Sequence, residues 1–449
     1  METSSVHLGP TRARDTRMER SEQTQTTYLD YLARCRQAFT PFAPIELPDF
    51  FAGRAHVIDD VQTELAAPGR HVAIYGERGV GKTSLAALLY FFGNYDDDQV
   101  HVFRCSVTTT FDDICASILT EAGHSLTVTG AEAEDGKEGK IALGPVVAGS
   151  SRRSTVSFRP TQSSQAASPT RMLQVFGQVR GLLIVDEFDR VKDEPTRTRM
   201  AEMVKHFSDA RSMTKIVIVG VADTLADLIG KHESLSRSLA QVGLRRMDEP
   251  ELLDIIRRGT HRTGTSIDES VATKMVRLAD GFPHFVHLLC LYASLYAGER
   301  IREPASGSPH IGSREYHLGL KSALAKSEHS LHETYERAVV TTRRKSDIYE
   351  LTLRGMALSE ERDVQVRDLA RNASYLNVNP NEDPLRPEKF SNALGELIKD
   401  DRARMLTKVR DGYYKFTNPL MRPYIRFLLE FDNLTLHRGQ LEFPFMKGK

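Results

Sequence analysis

The sequence predicts an α/β fold: a parallel sheet flanked by helices and bearing a phosphate loop, then a helical segment, then a small α+β domain of winged-helix type. Three observations predict it. Strand-like apolar runs alternate with helical patterns from His71 to Gly220, the order that builds a parallel sheet. Residues 76–83 read Gly-Glu-Arg-Gly-Val-Gly-Lys-Thr, between a β-rich run and a strong helix former. Residues 346–431 give three helical stretches and then two β-runs around Arg410-Asp-Gly412, and Asp-Gly is a strong hairpin signal.

The elements follow in order. Residues 1–27 are polar and of mixed charge and are expected to be disordered. A helix is expected from Tyr28 to Phe39, a break at Pro41, Pro44 and Pro48, and a helix from Val57 to Leu65. His71-Val-Ala-Ile-Tyr75 is a strand, Ser84 to Tyr90 a helix, Val100 to Phe103 a strand and Phe111 to Ala122 a helix. Residues 123–170, rich in Gly, Ser, Ala and Thr, read as a hairpin between flexible arms or as a plain mobile loop. Gly181 to Val185 and Lys215 to Gly220 are strands of the fully buried type, with Ile216 to Val219 expected beside the first strand. After Met247 come helices at 250–262, 269–279 and 283–297, a linker at 304–313, and one helix from His317 to Arg337. The last segment predicts helices at 347–358, 364–373 and 388–399, the hairpin 405–416, and a closing helix 420–431. The expected domains are therefore a sheet core over 28–247, a helical lid over 248–313 and a winged helix over 314–449.

The loop 76–83 fits G-x-x-x-x-G-K-[ST]. Glycine adopts positive φ without strain, so Gly76, Gly79 and Gly81 let the backbone N–H groups of Glu77, Arg78, Val80 and their neighbours turn inward around a polyphosphate. Lys82 reaches the β/γ-phosphates, the Thr83 hydroxyl holds Mg²⁺, and Ser84 opens a helix whose positive end faces the anion. Leu182 to Val185 ends in Asp186-Glu187, a carboxylate for Mg²⁺ followed by one that polarises the attacking water. Asp223, just past Gly220, stands where a γ-phosphate sensor belongs, and is equally a turn former. Arg237 fits an arginine presented to the γ-phosphate of a neighbouring copy, or an ordinary exposed arginine. Pro283 and His284 open a helix of the lid, where proline is favourable for structure alone.

Bulk properties narrow the classes. The chain has 449 residues, 40% of them hydrophobic, and a formal net charge of zero, so no global field draws it to nucleic acid or membrane. It contains no run of eighteen apolar residues, no signal-peptide core and no metal spacing among Cys35, Cys105, Cys115 and Cys290. A cytoplasmic location is the default expectation.

Taken together, Phe51-x-Gly53-Arg54, Gly76–Thr83, Asp186-Glu187, Arg237, Gly281-x-Pro283 and the C-terminal winged helix resemble P-loop NTPases at the border of the AAA+ and STAND groups. More narrowly, the chain is similar to bacterial and archaeal ATPases with an origin-recognition-complex-like module, over roughly residues 45–431. The resemblance implies ATP and Mg²⁺ as ligands, with Phe51, Gly53 and Arg54 on the adenine side and Pro283 in the lid. It also implies homo-oligomers with Arg237 acting in trans. Origin-recognition-type relatives place an arginine where Pro283-His284 stands, which implies slow hydrolysis and a switch-like ATP state. A STAND signalling protein adds a repeat sensor after its winged helix, and this chain is expected to lack one.

Three functions are consistent with these residues: an ATP-hydrolysing molecular switch, an ATP-dependent factor that binds or loads onto duplex DNA, and a defence or signalling ATPase whose winged helix contacts protein. Residues 339–449 hold 20 Lys+Arg and 16 Asp+Glu, a mild +4. Arg402, Arg404, Lys408, Arg410 and Lys415 form the candidate DNA patch, and a solvated charged surface is the alternative.

Overall fold

The computed structural model describes residues 11–45, 48, 51–123, 168–230, 235, 237–302, 307–341, 344–345, 347–376, 385–436 and 443–446. Nearly all of the insert 123–170, with its expected hairpin, lies outside the described residues. The chain divides into two compact units: residues 60–75 with 90–242, and residues 1–59, 76–89 and 243–449.

Helix α1 (Thr11–Ala38) begins inside the segment 1–27 that composition marks as disordered. After α2 (Ala55–Ala66), strand β1 (His71–Gly76) runs into the glycine-rich loop and α3 (Lys82–Phe92). Then come β2 (Val100–Arg104), α4 (Phe111–Glu121), α5 (Pro169–Phe176), β3 (Gly181–Asp186), α6 (Glu194–Asp209), β4 (Thr214–Val221), the short α7 (Leu225–Ile229) and β5 (Leu239–Leu244). The five strands form a parallel sheet in the order β2-β3-β4-β1-β5. β4 thus lies between β3 and β1, beside the first strand as its apolar run predicts. Every residue of β3 is buried, which is why the run is apolar without alternation. β5 was not legible as a strand, because its Gln and Gly interrupt the apolar pattern.

The sheet unit has one core. Phe111, Ile114 and Ile118 of α4, Met172 of α5, and Met200, Val204 and Phe207 of α6 pack with Leu183, Val185, Ile216 and Ile218 of the central strands. Capping fixes where these helices start. Thr110 accepts from the Asp113 amide while Asp113 accepts from the Thr110 amide, and Asp193 caps α6. All four cysteines are buried free thiols.

The other unit contains α8 (Glu249–Thr263), β6 (Ser266–Ile267), α9 (Glu269–Ala279), α10 (Pro283–Ala297), α11 (Glu299–Arg302) and β7 (His310–Ile311). The expected linker 304–313 is in part this β7, paired in parallel with β6. α10 is apolar on most of its surface and packs against α8, α9 and α12 (Ser313–Lys326). The single helix expected over 317–337 is two, α12 and α13 (His329–Val339). The break falls at Ser327, whose extended ψ of 161° stops the first helix. A two-residue pair, β8 (Val340–Thr341) with β9 (Arg344–Lys345), leads to α14 (Asp347–Ala357).

The last stretch opens with β10 (Val364–Gln365), α15 (Val366–Leu376) and α16 (Ser391–Leu397). It continues with β11 (Leu406–Arg410), β12 (Tyr413–Phe416) and α17 (Met421–Leu436). Its three-stranded antiparallel sheet, β10-β12-β11, with helices α14 to α16, is compatible with a winged helix. Gly412, at φ 73°, makes the hairpin turn that Asp-Gly announces. No helix of the described residues is long and apolar enough to cross a membrane.

His71 is fully buried in the sheet. Its Nδ1 accepts from the Ile216 amide at 3.0 Å, and burial, with the Lys215 charge nearby, pushes its pKa down to about 3. The unfolded chain, with histidine near its ordinary 6.5, therefore binds this proton more readily than the folded one. The stability is complete above pH 6.5 and is lost as pH falls from there toward 3, at about 1.4 kcal/mol per pH unit. Urea unfolding at several pH values checks this. The variant His71→Asn should lack that component, and equal pH slopes in the two proteins would overturn the assignment.

Candidate functional site

The loop that follows β1 is built on glycines at positive φ: 148° at Gly76, 84° at Gly79 and 95° at Gly81. A side chain at Gly76 would strike the Leu244 carbonyl at 2.2 Å, and one at Gly79 would meet Leu420 at 2.7 Å. Space and conformation therefore both demand glycine at Gly76, and conformation demands it at Gly79. Lys82 is 7% exposed, and its ammonium donates to the carbonyls of Gly76 (3.0 Å) and Glu77 (2.7 Å). It is folded back over the loop it belongs to, at the spot where phosphate oxygens would join the carbonyls. Val80 is buried, Arg78 is exposed and pairs with Glu328 at 3.4 Å, and Thr83 and Ser84 are half-buried.

A second strip of chain borders the loop. Ser84 Oγ accepts from the Ile45 amide at 3.2 Å. Gly53, at φ 78°, has no room for a side chain against Glu251. Arg54 is 4% exposed and donates from one terminal nitrogen to the Arg245 carbonyl at 2.7 Å. Its other terminal nitrogen is buried without a hydrogen-bond partner and lies 3.9 Å from where a Gly81 side chain would start, with Pro283 at 4.0 Å from the same point. Burial lowers the pKa of this guanidinium to about 10, so it stays charged at neutral pH. A buried cationic N–H without a partner, beside a phosphate-loop glycine, has the chemistry of an anion contact.

From the loop a network of charges runs outward. Glu77 meets Arg246 at 2.7 Å and Arg362 at 3.1 Å. Arg246 also meets Asp280 at 2.6 Å and lies over the Phe282 ring. Asp280 in turn faces Arg426 at 3.1 Å and Arg422 at 3.8 Å, both on α17 and both buried. Arg422 donates to the carbonyls of residues 360–362, and Arg426 to those of Arg277, Ala357 and Ser359. Burial lowers the pKa of both arginines and the Asp280 charge opposes it.

In the sheet unit, β3 delivers the acidic pair. Asp186 is 3% exposed; its Oδ1 accepts from the Glu187 amide at 2.8 Å, and Arg104 at the end of β2 stands 3.9 Å from Oδ2. Glu187 sits at φ 57°, a left-handed conformation costly for a side chain of this size and common at functional sites. Its carboxylate meets Arg190 at 3.1 Å. Asp189 accepts from the Val221 amide at 2.7 Å and so ties the turn after β3 to the end of β4. A side chain at Gly220 would fall 2.9 Å from Asp189 Oδ1, so this tie requires the glycine. Asp223 is exposed, one residue before the Thr224 cap of α7. Arg237 is exposed in the turn before β5 and its carbonyl accepts from Arg70. A Thr83 hydroxyl and an Asp186 carboxylate are each hard oxygen donors of the kind that Mg²⁺ takes.

The family model described as Novel STAND NTPase 1 matches residues 37–408. The chain belongs to that family. Membership makes it a P-loop NTPase of the STAND group, in keeping with the loop and the acidic pair. Among solved structures it is similar to Cdc6p from Pyrobaculum aerophilum, at 14% identity over 88% of this chain and 98% of that one, with a TM-score of 0.43. It is also similar to the Aeropyrum pernix Orc1 protein in complex with DNA (14% identity, 87% and 95% covered, TM-score 0.42). The Thermotoga maritima RuvB Holliday junction branch migration motor matches at 14% identity over 83% and 95%, with a TM-score of 0.41. No curated protein sequence matches.

The basic wing is less free than its sequence suggests. Arg402 donates to the carbonyls of Ala338 and Val340 and lies over the Tyr349 ring. Arg404 pairs with Asp400 and Lys408 with Asp411, while Arg410 covers Tyr413. Lys415 makes no ion pair among the described residues.

Sequence reasoning missed the network around Asp280. Two signals existed: an Asp-Gly pair just before Pro283, and two arginines four residues apart, Arg422 and Arg426, in the apolar first half of helix α17. The variant Asp280→Asn leaves three guanidinium groups facing a neutral amide. It should cost about 3–5 kcal/mol, the usual effect of breaking a buried ion cluster from one side. A thermal melt that matches the parent would show the cluster to be dispensable.

Proposed function

We propose that the protein is an ATP-binding, slowly hydrolysing molecular switch in which the nucleotide state of the loop sets the position of the helical lid and of α17, and through them self-assembly. The observation that carries this reading is the partnerless, buried nitrogen of Arg54 beside Gly81, an anion contact waiting at the loop. In the proposed cycle the Lys82 ammonium shares its protons between the Gly76 and Glu77 carbonyls and the β/γ-phosphates. Arg54 binds from the adenine side, and the loop amides from Glu77 to Thr83 surround the polyphosphate. Mg²⁺ held by Thr83 and Asp186 would neutralise phosphate charge. Glu187 orients and deprotonates the attacking water. Asp223 lies close to the end of β4 as a γ-phosphate sensor.

Signal transmission uses Glu77. A phosphate that redraws the loop shifts the partner of Arg246 and Arg362, and Arg246 shares Asp280 with α17. The exposed Arg237 would complete the site of a neighbouring copy in the assembled state. A defence or signalling ATPase, with the C-terminal segment as the arm that contacts protein, is an alternative reading.

Binding and turnover test this directly. Lys82→Ala should abolish ATP binding, and Arg54→Ala should weaken it by about tenfold to a hundredfold, the worth of a charge-assisted hydrogen bond. Glu187→Gln should bind ATP normally and hydrolyse none, and equal ATPase rates in Glu187→Gln and the parent would sink the mechanism.

DNA binding is a second reading, supported by Arg410 and Lys415 on the hairpin, whose charges no carboxylate offsets among the described residues. Duplex binding should then weaken steeply between low and physiological salt and fall in the double variant Arg410→Ala, Lys415→Ala. No binding at low ionic strength removes this reading and leaves the switch intact.

A further inference from the structure

Residues 443–446 rest on α9 and α17 of their own unit. They form a single 3-10 turn, in which the Met446 amide donates to the Phe443 carbonyl at 2.9 Å. Both aromatic side chains are buried, Phe443 at 1% exposure and Phe445 at 4%, and their rings stack with centroids 5.6 Å apart. Two arginines receive the segment. Arg426 of α17 lies over the Phe445 ring, 4.3 Å from its centroid. Arg277, in the last turn of α9, donates to the Met446 carbonyl and is steadied by Glu249 at 3.5 Å from its Nε.

These are the contacts of a bound peptide. Side chains anchor the segment, and one guanidinium takes its backbone. Residues 437–442, outside the described residues, separate it from α17. Two buried rings and one cation–π contact only modestly outweigh the cost of ordering four residues, so the segment can leave while the helices beneath it stay folded. The recognition has a definite chemistry: two rings one residue apart, a cation against the second ring, and a donor for the carbonyl that follows it. The seat is also tied to the lid cluster. Arg426 donates to the Arg277 carbonyl at 3.0 Å and meets Asp280 at 3.1 Å, so both arginines that hold the segment belong to one hydrogen-bonded set.

We propose that the face of α9 and α17 bearing Arg277 and Arg426 is a binding site for a short Phe-x-Phe peptide, and that the chain's own residues 443–446 are its detachable resident ligand. The site stands apart from the nucleotide reading and does not require it. The test uses the full chain, as the parent and as the double variant Phe443→Ala, Phe445→Ala, with a fluorescent synthetic peptide of residues 441–449. The double variant, its own segment disarmed, should bind the peptide saturably. The parent should bind it about tenfold to a hundredfold more weakly, because a short tether gives the resident segment an effective concentration in the millimolar range. The peptide bearing Phe445→Ala should bind neither protein. A double variant that melts as a folded protein yet leaves the peptide unbound overturns the proposal. Hydrogen exchange on the parent decides the matter if that variant fails to fold. Residues 443–446 should then exchange at least about a hundredfold faster than α17, by local opening. Exchange at the rate of α17 makes the segment a fixed part of the fold and overturns the proposal. A dimer of the parent that the double variant lacks gives the seat to the segment of a second copy and overturns the assignment within one chain.

Discussion

Asp280 brings one negative charge to a point where Arg246, Arg422 and Arg426 converge. Charges taken out of water are costly unless each is matched, so this carboxylate constrains everything that touches it. It stands in a left-handed conformation at the end of α9, φ 51°, which turns the chain sharply into Gly281 and the start of α10. Glu77 extends the same network into the phosphate loop, so the charge balance around the end of α9 and the shape of the loop are set together. Leu420, packed where Gly79 has no side chain, adds a steric contact to the electrostatic one.

The arginines of α17 do a second job. Arg426 donates to carbonyls at the ends of α9 and α14, and Arg422 to the turn that follows α14. The last carbonyls of a helix have no partner inside it, and a guanidinium satisfies them while complementing the negative end of the helix dipole. One helix therefore closes the open ends of two others and neutralises Asp280 with the same side chains. This explains why buried charge persists in a part of the molecule that apolar residues would fill more cheaply.

Local chemistry was legible in the sequence and long-range chemistry was not. The strand, loop and helix around Gly76–Thr83, the buried run ending in Asp186-Glu187, and the Asp-Gly hairpin each carry their signal within about ten residues. β5 was missed because a glycine and a glutamine blur its pattern. The helix over 317–337 was read as continuous because its break needs only a change of ψ at Ser327, without a proline or glycine to mark it. The partners of Glu77, Asp280 and Arg402 lie tens to hundreds of residues away, and no periodicity reports them. The basic patch shows the cost of that blindness: five cations close in sequence look like a surface for phosphate, yet folding engages Arg402, Arg404 and Lys408 with their own carbonyls and carboxylates.

The contact of the loop with α17 also fixes an order of events during synthesis. Glu77 and Gly79 leave the ribosome some three hundred and forty residues before Leu420 and Arg422 do. At about 5–20 residues per second, translation separates them by roughly 20–70 s. Through that interval the phosphate loop exists without Leu420, and over about its last 140 residues Asp280 is present without Arg422 and Arg426, two of its three cations. The nascent chain is thus most exposed to misassembly just before α17 emerges, and this late helix completes the surroundings of the phosphate loop.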